Sequence, residues 1–230
     1  MKIGILTAMK KEHDQLARLM ENKAEVKSGI YTYSIGSIAG NDIILQQCGM
    51  GKVNAAVGTA ELIRTFSPQC IISTGAAGGI DDSLSIMGVV VSKQTCYHDV
   101  WCGTGYDFGQ VQGLPPFYNG NPRLVEKAVK LNELQSQTRI YSGLICTGDQ
   151  FITNQNEQRK IKDHFPNGLA CDMESAAIAQ TCYLYQVPFV SFRIISDIPS
   201  AKDHGKQWAD FWGEMANRSF TITQKYLEIL

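Results

Sequence analysis

Four acidic residues stand where apolar runs of the chain end. Asp197 closes Phe192-Arg-Ile-Ile-Ser-Asp197, Asp149 follows Thr147-Gly148, Glu174 comes just after Cys171-Asp172, and Glu12 follows the first apolar run by a few residues. In open α/β sheets, ligands bind outside the carboxyl ends of the strands, so carboxylates there are candidates for general acid and base work. For each of them, capping of a following helix is the alternative. Arg193 lies inside an apolar run, where a cation must be paired or turned toward a polar cavity. Glu12 and Glu174 are available partners, and a purely structural ion pair is the other reading. Gly75-Ala-Ala-Gly-Gly79 could cradle a phosphate or a sugar, or form a tight turn that needs small residues. It matches neither GxGxxG nor the P-loop. The His98-Asp99 pair is a further candidate base, but no nucleophile motif such as GxSxG accompanies it.

The elements that must position these groups follow from hydrophobic patterning. Ile3 to Ala8 reads as a buried strand, and Lys10 to Met20 as a helix with Leu16, Leu19 and Met20 at helical spacing. Tyr31 to Ile38 and Asp42 to Gln47 predict a hairpin around Gly40-Asn41. Val53 to Phe66 is a helix ended before Pro68, and Cys70 to Thr74 a strand running into the glycine-rich turn. Val89 to Cys96, Tyr141 to Thr147 and Val187 to Ser196 are strands; Arg123 to Leu134, Asn156 to Phe165, Met173 to Tyr185 and the segment from Trp208 onward are helices. Asp99 to Gly120 is one long irregular loop, a length that is usually functional. Its Trp101, Tyr106, Phe108 and Phe117 suit a pocket wall, a subunit contact or ordinary loop packing. Strands alternating with helices predict an α/β fold with a largely parallel or mixed sheet.

Composition narrows the classes. A chain of 230 residues, 44% of them apolar, suits one large α/β domain over residues 1–230 with a core that needs no staples. A net charge of −1 leaves no electrostatic footprint for nucleic acid or an anionic membrane. The seven cysteines have no CxxC or other zinc-type spacing, and their odd number suits a reducing compartment. The opening Lys2-Ile-Gly-Ile-Leu6 is too short for a signal-peptide core, and no segment approaches membrane-spanning length. The expectation is a cytoplasmic protein.

Several motifs then converge. Met1-Lys-Ile-Gly-Ile with Ala8-Met9 and Glu12, Gly49-Met-Gly-Lys52, Ser73-Thr-Gly-Ala-Ala-Gly-Gly79 and Tyr97-His-Asp99 lead. Thr147-Gly-Asp-Gln-Phe-Ile152, Asp172-Met-Glu-Ser175 and Arg193-Ile-Ile-Ser-Asp197 complete the set. Their order and spacing across nearly the whole chain resemble the 5′-methylthioadenosine/S-adenosylhomocysteine nucleosidases, within the nucleoside phosphorylase superfamily. The resemblance implies a three-layer α/β/α sandwich with a twisted mixed sheet, a homodimer, a small-molecule nucleoside substrate, and no metal or organic cofactor.

It also implies roles. Asp197 resembles the general acid at N7 of adenine, steered by Ser196. Glu174 resembles the carboxylate that binds the ribose hydroxyls, beside Met173. Glu12 resembles the base that activates water, with Arg193 close to that water. Phe151 resembles the residue stacked on adenine and Ile152 the one whose backbone reads the base edge; Met9 and Met50 resemble the wall near the 5′ group. The chemistry suits these types. Adenine leaves poorly as an anion, so N7 needs a proton donor, and a carboxylic acid in a dry pocket supplies one. The sugar becomes oxocarbenium-like, and a nearby carboxylate stabilises it.

Three segments depart from the family pattern. Ala76 stands where the family commonly has Ser. The loop Val100-Trp-Cys-Gly-Thr-Gly105 is one residue shorter. Ala201 to Trp212 carries an extra residue, with Trp208 and Trp212 where Phe is usual. Three other readings compete: a phosphorylase using phosphate, a nucleosidase for another adenine compound, and a catalytically dead binding module. A single arginine at the site is thin for a multiply charged anion.

Overall fold

In Lys2–Thr7 successive side chains turn to opposite faces, and every residue after Lys2 is buried, so this segment becomes a central strand, β1. The computed structural model describes residues 1–199, 208–211 and 221–230. β1 runs parallel to β4 (Asn41–Gln47) and to β5 (Cys70–Gly79), with Ile5 opposite Leu45 on one side and Ile72 on the other. Ile3, Ile5, Ile43, Leu45, Cys70 and Ile72 pack on one face against α1 (Lys10–Ala17), α3 (Pro122–Leu134) and the helical residues 221–228. Leu6, Ile44 and Ile71 pack on the other face against α2 (Lys52–Phe66) and α5 (Ser175–Tyr185). Each fully buried Ile or Leu contributes about 1.5–3 kcal/mol relative to exposure. The two-sided burial is the reason the strands read as near-continuous apolar runs. Helices on both faces of a mixed sheet give the expected three layers.

The remaining strands are β2 (Glu21–Ser28), β3 (Tyr31–Ile38), β6 (Val89–Tyr97), β7 (Tyr118–Asn119), β8 (Ile140–Thr147), β9 (Gly168–Asp172) and β10 (Phe189–Asp197); α4 spans Gln155–His164. The sheet order is β10-β6-β8-β9-β5-β1-β4-β3-β2, and β10 also pairs with β5. Five strands therefore close on themselves, and β1, β4, β3 and β2 extend from β5 as an open sheet. The closure brings the carboxyl ends of β1, β5, β8, β9 and β10 toward one place.

Several sequence expectations are corrected. Gly75–Gly79 is no turn: β5 continues through it, paired with β10 along Ile71–Gly78 and with β9 at Gly78–Gly79. The small residues there leave room for Glu12 and Arg193 against the strand. The polar strand β2 was not anticipated, because as an edge strand exposed along nearly its whole length it has no apolar alternation. The short β9, and β7 inside the long loop, were also missed. Of the helix expected from Trp208 onward, 208–211 and 221–228 are helical; Ala201–Gln207 and Trp212 lie outside the described residues.

Candidate active site

A cavity of about 640 Å³, its mouth included, opens where these carboxyl ends meet. Its walls include Met9, Glu12, Met50, Ala76, Phe151, Ile152, Met173, Glu174, Ser196, Asp197 and Trp208. Every residue to which the family resemblance gave a role thus borders one space, except Arg193, which lies buried beneath it.

Glu12 sits in the first turn of α1 and folds back onto the helix start. The Ala8 and Met9 N–H groups donate to its Oε2 at 3.0 and 2.9 Å, and the Ala76 N–H donates to its Oε1 at 3.0 Å. Burial pushes this carboxyl above its ordinary pKa, against the pull of Arg193 and the three amides. Glu174 directly precedes α5. Its Oε1 accepts from the Gly51 N–H at 3.0 Å and its Oε2 from Arg193 Nη2 at 3.3 Å. Burial pushes it up to about 7; Arg193 opposes this, and the charges of Asp172 and Glu12 add to it.

Arg193, midway along β10, is 1% exposed. Its Nε lies 2.8 Å from Asp172 Oδ2, and its Nη2 donates to Ser73 Oγ at 3.0 Å as well as to Glu174. A Cβ at Gly75 would meet both Glu12 Oε1 and Arg193 Nη1, so these two groups converge on that glycine. Burial works to lower the guanidinium pKa, but Asp172, Glu174 and Glu12 outweigh it and hold the charge firmly in place. One cation among three carboxylates leaves the cluster short of positive charge. A carboxyl in such a cluster takes up a proton readily, which suits a general base.

On another wall Asp197 ends β10, and Ser196 Oγ lies 2.7 Å from its Oδ1. The exposed Phe151 meets Trp208 edge-on, ring centres 5.8 Å apart, at the mouth. Met9, Met50 and Met173 supply adaptable thioether surface.

Other candidates fall elsewhere. His98 is buried outside the cavity wall, its ring against Gly148, and burial lowers its pKa. Asp149 accepts from the Lys52 N–H at 2.8 Å and so ties its loop to the start of α2; Lys52 Nζ and the Asp149 N–H both bind Asp99. Phe108 stacks on His164 at 3.7 Å, and Phe117 meets Phe165 edge-on, so these two aromatics are loop packing and not pocket wall. Sequence reasoning gave no role to Asp172, Ser73 and Ser175, which hold Arg193, nor to Gln150 and Cys171 on the cavity wall. The only signal for Asp172 was its place in the Asp172-Met-Glu-Ser175 motif.

Fold and site together define a member of the phosphorylase superfamily, whose sequence model matches residues 2–228. A 5′-methylthioadenosine/S-adenosylhomocysteine nucleosidase from Chromohalobacter salexigens is 41% identical over 230 residues, covering 100% of this chain and 97% of the relative. The chain belongs to the 5′-methylthioadenosine/S-adenosylhomocysteine nucleosidases. The Neisseria meningitidis member, solved with methylthio-immucillin-A, superposes with a TM-score of 0.92 at 35% identity, covering 99% of each chain. The Colwellia psychrerythraea member, solved with adenine, gives 0.93 at 35% identity, covering 100% of this chain and 96% of the other.

Proposed function

We propose that the chain hydrolyses the N-glycosidic bond of 5′-methylthioadenosine, S-adenosylhomocysteine or both, releasing adenine and the 5-thio-substituted ribose. The observation that carries this is the division of one cavity between Glu12 and Glu174, the second of which Arg193 contacts, and Asp197 on its own wall with Ser196. Asp197 protonates adenine N7, so the electron pair of the breaking C1′–N9 bond settles on a neutral base. Glu12 takes the proton of the water whose oxygen bonds to C1′. Glu174, beside Met173, accepts from the ribose hydroxyls and faces the positive charge that develops on the sugar. Each general acid or base supplies roughly 10²–10⁴-fold. Phe151 stacks on adenine and the Ile152 backbone reads its edge. Met9, Met50 and Trp208 suit the apolar 5′ thioether, while Ala76 presents its backbone to Glu12.

Use of phosphate as nucleophile is disfavoured: among the described residues no Lys or Arg lines the cavity, and Arg193 is already engaged by carboxylates. Adenine release from a panel of 5′-substituted adenosines, with and without phosphate, tests the reading. A phosphate requirement, or sugar 1-phosphate as product, overturns it.

The reading extends to residues 1–230 as a single domain, working as a cytoplasmic homodimer. Six of the seven cysteines are buried free thiols, as in a reducing compartment. Among the described residues no helix is long and apolar enough to cross a membrane. Support for the dimer comes from exposed apolar side chains on adjacent helices: Val53 and Val57 on α2, and Tyr183 and Leu184 on α5. Trp101 of the long loop is also exposed, and Met50, which borders the cavity, is three residues from Val53.

A further inference from the structure

Asp172 ends β9 and immediately precedes the Met173-Glu174 pair at the cavity. Asp172 borders the cavity, but its side chain is 1% exposed and its carboxylate is engaged by protein donors. Among the described residues its carboxylate oxygens are bonded by Thr147, Ser175 and Arg193. Thr147 Oγ1 donates to Oδ1 at 2.6 Å, the Ser175 N–H lies 3.2 Å from both oxygens, and the Ser175 hydroxyl bonds Oδ2. Arg193 Nε lies 2.8 Å from the same Oδ2. Ser175 in turn contacts Ser191 Oγ at 2.7 Å, which anchors the cluster in the sheet. A long side chain such as Arg loses several rotatable bonds' worth of freedom when it is fixed. Here one edge of the guanidinium is held before any substrate arrives.

We infer that Asp172 is a positioning residue: it clamps the Nε edge of Arg193 so that Nη2 is aimed at Glu174 and Nη1 is held at Gly75, where Glu12 also reaches. The inference rests on the nucleosidase reading and adds to it a group that acts through Arg193. A carboxylate at this place also acts on Glu174 through its field. The charged and titratable groups facing Glu174 are Arg193 from β10, Asp172 from β9, Glu12 from α1 and Cys48 just after β4, together with the Gly51 N–H ahead of α2. Asp172 opposes ionisation of Glu174, so its removal makes that ionisation easier.

The test is kcat/KM against pH for adenine release by the full chain, Asp172→Asn and Ser175→Ala. Asp172→Asn should lower kcat by about a hundredfold through loss of placement. It should also move the acid limb of the profile to lower pH, a shift that a loss of packing alone does not produce. Ser175→Ala keeps every charge and loosens the clamp; kcat should fall about tenfold with the limb unmoved. Asp172→Asn with parental kcat and an unmoved limb overturns the inference. If that variant does not fold, Ser175→Ala with a kcat within about twofold of the parent overturns it, since a tenfold loss corresponds to 1.36 kcal/mol of barrier. Failure of the unsubstituted chain to release adenine would sink the nucleosidase reading instead.

Discussion

The Glu12 carboxylate occupies the space that a side chain at Gly75 would need: a Cβ there would stand 2.4 Å from Glu12 Oε1 and 2.9 Å from Arg193 Nη1. Gly75 also has φ +147°, a conformation that L side chains rarely adopt. The glycine in the middle of β5 is therefore a condition for the carboxylate–guanidinium cluster, since both groups lean on bare backbone. Gly75→Ala should cost about 1–3 kcal/mol in backbone strain and displace Glu12. Turnover is expected to fall by more than about a hundredfold, with the secondary structure retained by circular dichroism. Parental turnover would mean that the position of Glu12 does not matter.

Asp197→Asn keeps the shape of the acid and removes its proton. Adenine release should drop by roughly 10²–10⁴-fold, while adenine binding, followed by calorimetry, stays near that of the parent. If the variant turns over at more than a tenth of the parental rate, another group protonates the base.

Glu174 gives a pH dependence with a definite sign. Its folded-state pKa is pushed up to about 7, from an ordinary 4.5. Between these values the folded chain holds more protons than the unfolded one, so this residue's contribution to stability falls as pH rises through the window. Glu12, raised by its burial, acts in the same direction. The urea midpoint of Glu174→Gln should therefore fall less between pH 5 and pH 8 than that of the parent. In catalysis the ionised form is the useful one, so kcat/KM should rise with pH and level off above about 7. A profile flat from pH 5 to pH 8 would count against the assignment.

Ala76 borders the cavity, and its N–H donates to Glu12. Ala76→Ser adds a hydroxyl near the attacking water without removing that amide. One neutral hydrogen bond is worth about 0.5–1.5 kcal/mol net, so kcat/KM should change by no more than about tenfold. A thousandfold change in either direction would reveal a function of this position that the backbone contact does not explain.

Val53→Glu places a charge on the apolar face of α2 that is assigned to the dimer. Sedimentation should show a monomer at micromolar concentration, and turnover should fall because Met50, three residues away, borders the cavity. A parental dimer would move the interface to another surface.

Much of this protein was legible in the chain alone. Apolar runs placed β1, β4, β5, β6, β8 and β10, and three of the four acidic residues at strand ends, Glu12, Glu174 and Asp197, border one cavity; Asp149 does not. Those features are local: burial on both faces writes a continuous apolar run, and a strand end is marked by the first charge after it. Tertiary structure decided the rest. That β5 passes straight through Gly75–Gly79, that β10 closes the sheet onto β5, and that Arg193 is divided among Asp172, Glu174 and Ser73 depend on pairings between distant segments. Arg193 and Ser73 are 120 positions apart. A strand's periodicity reports which faces are buried, not which strand lies beside it. A buried charge announces only that it needs partners, and the fold chooses them.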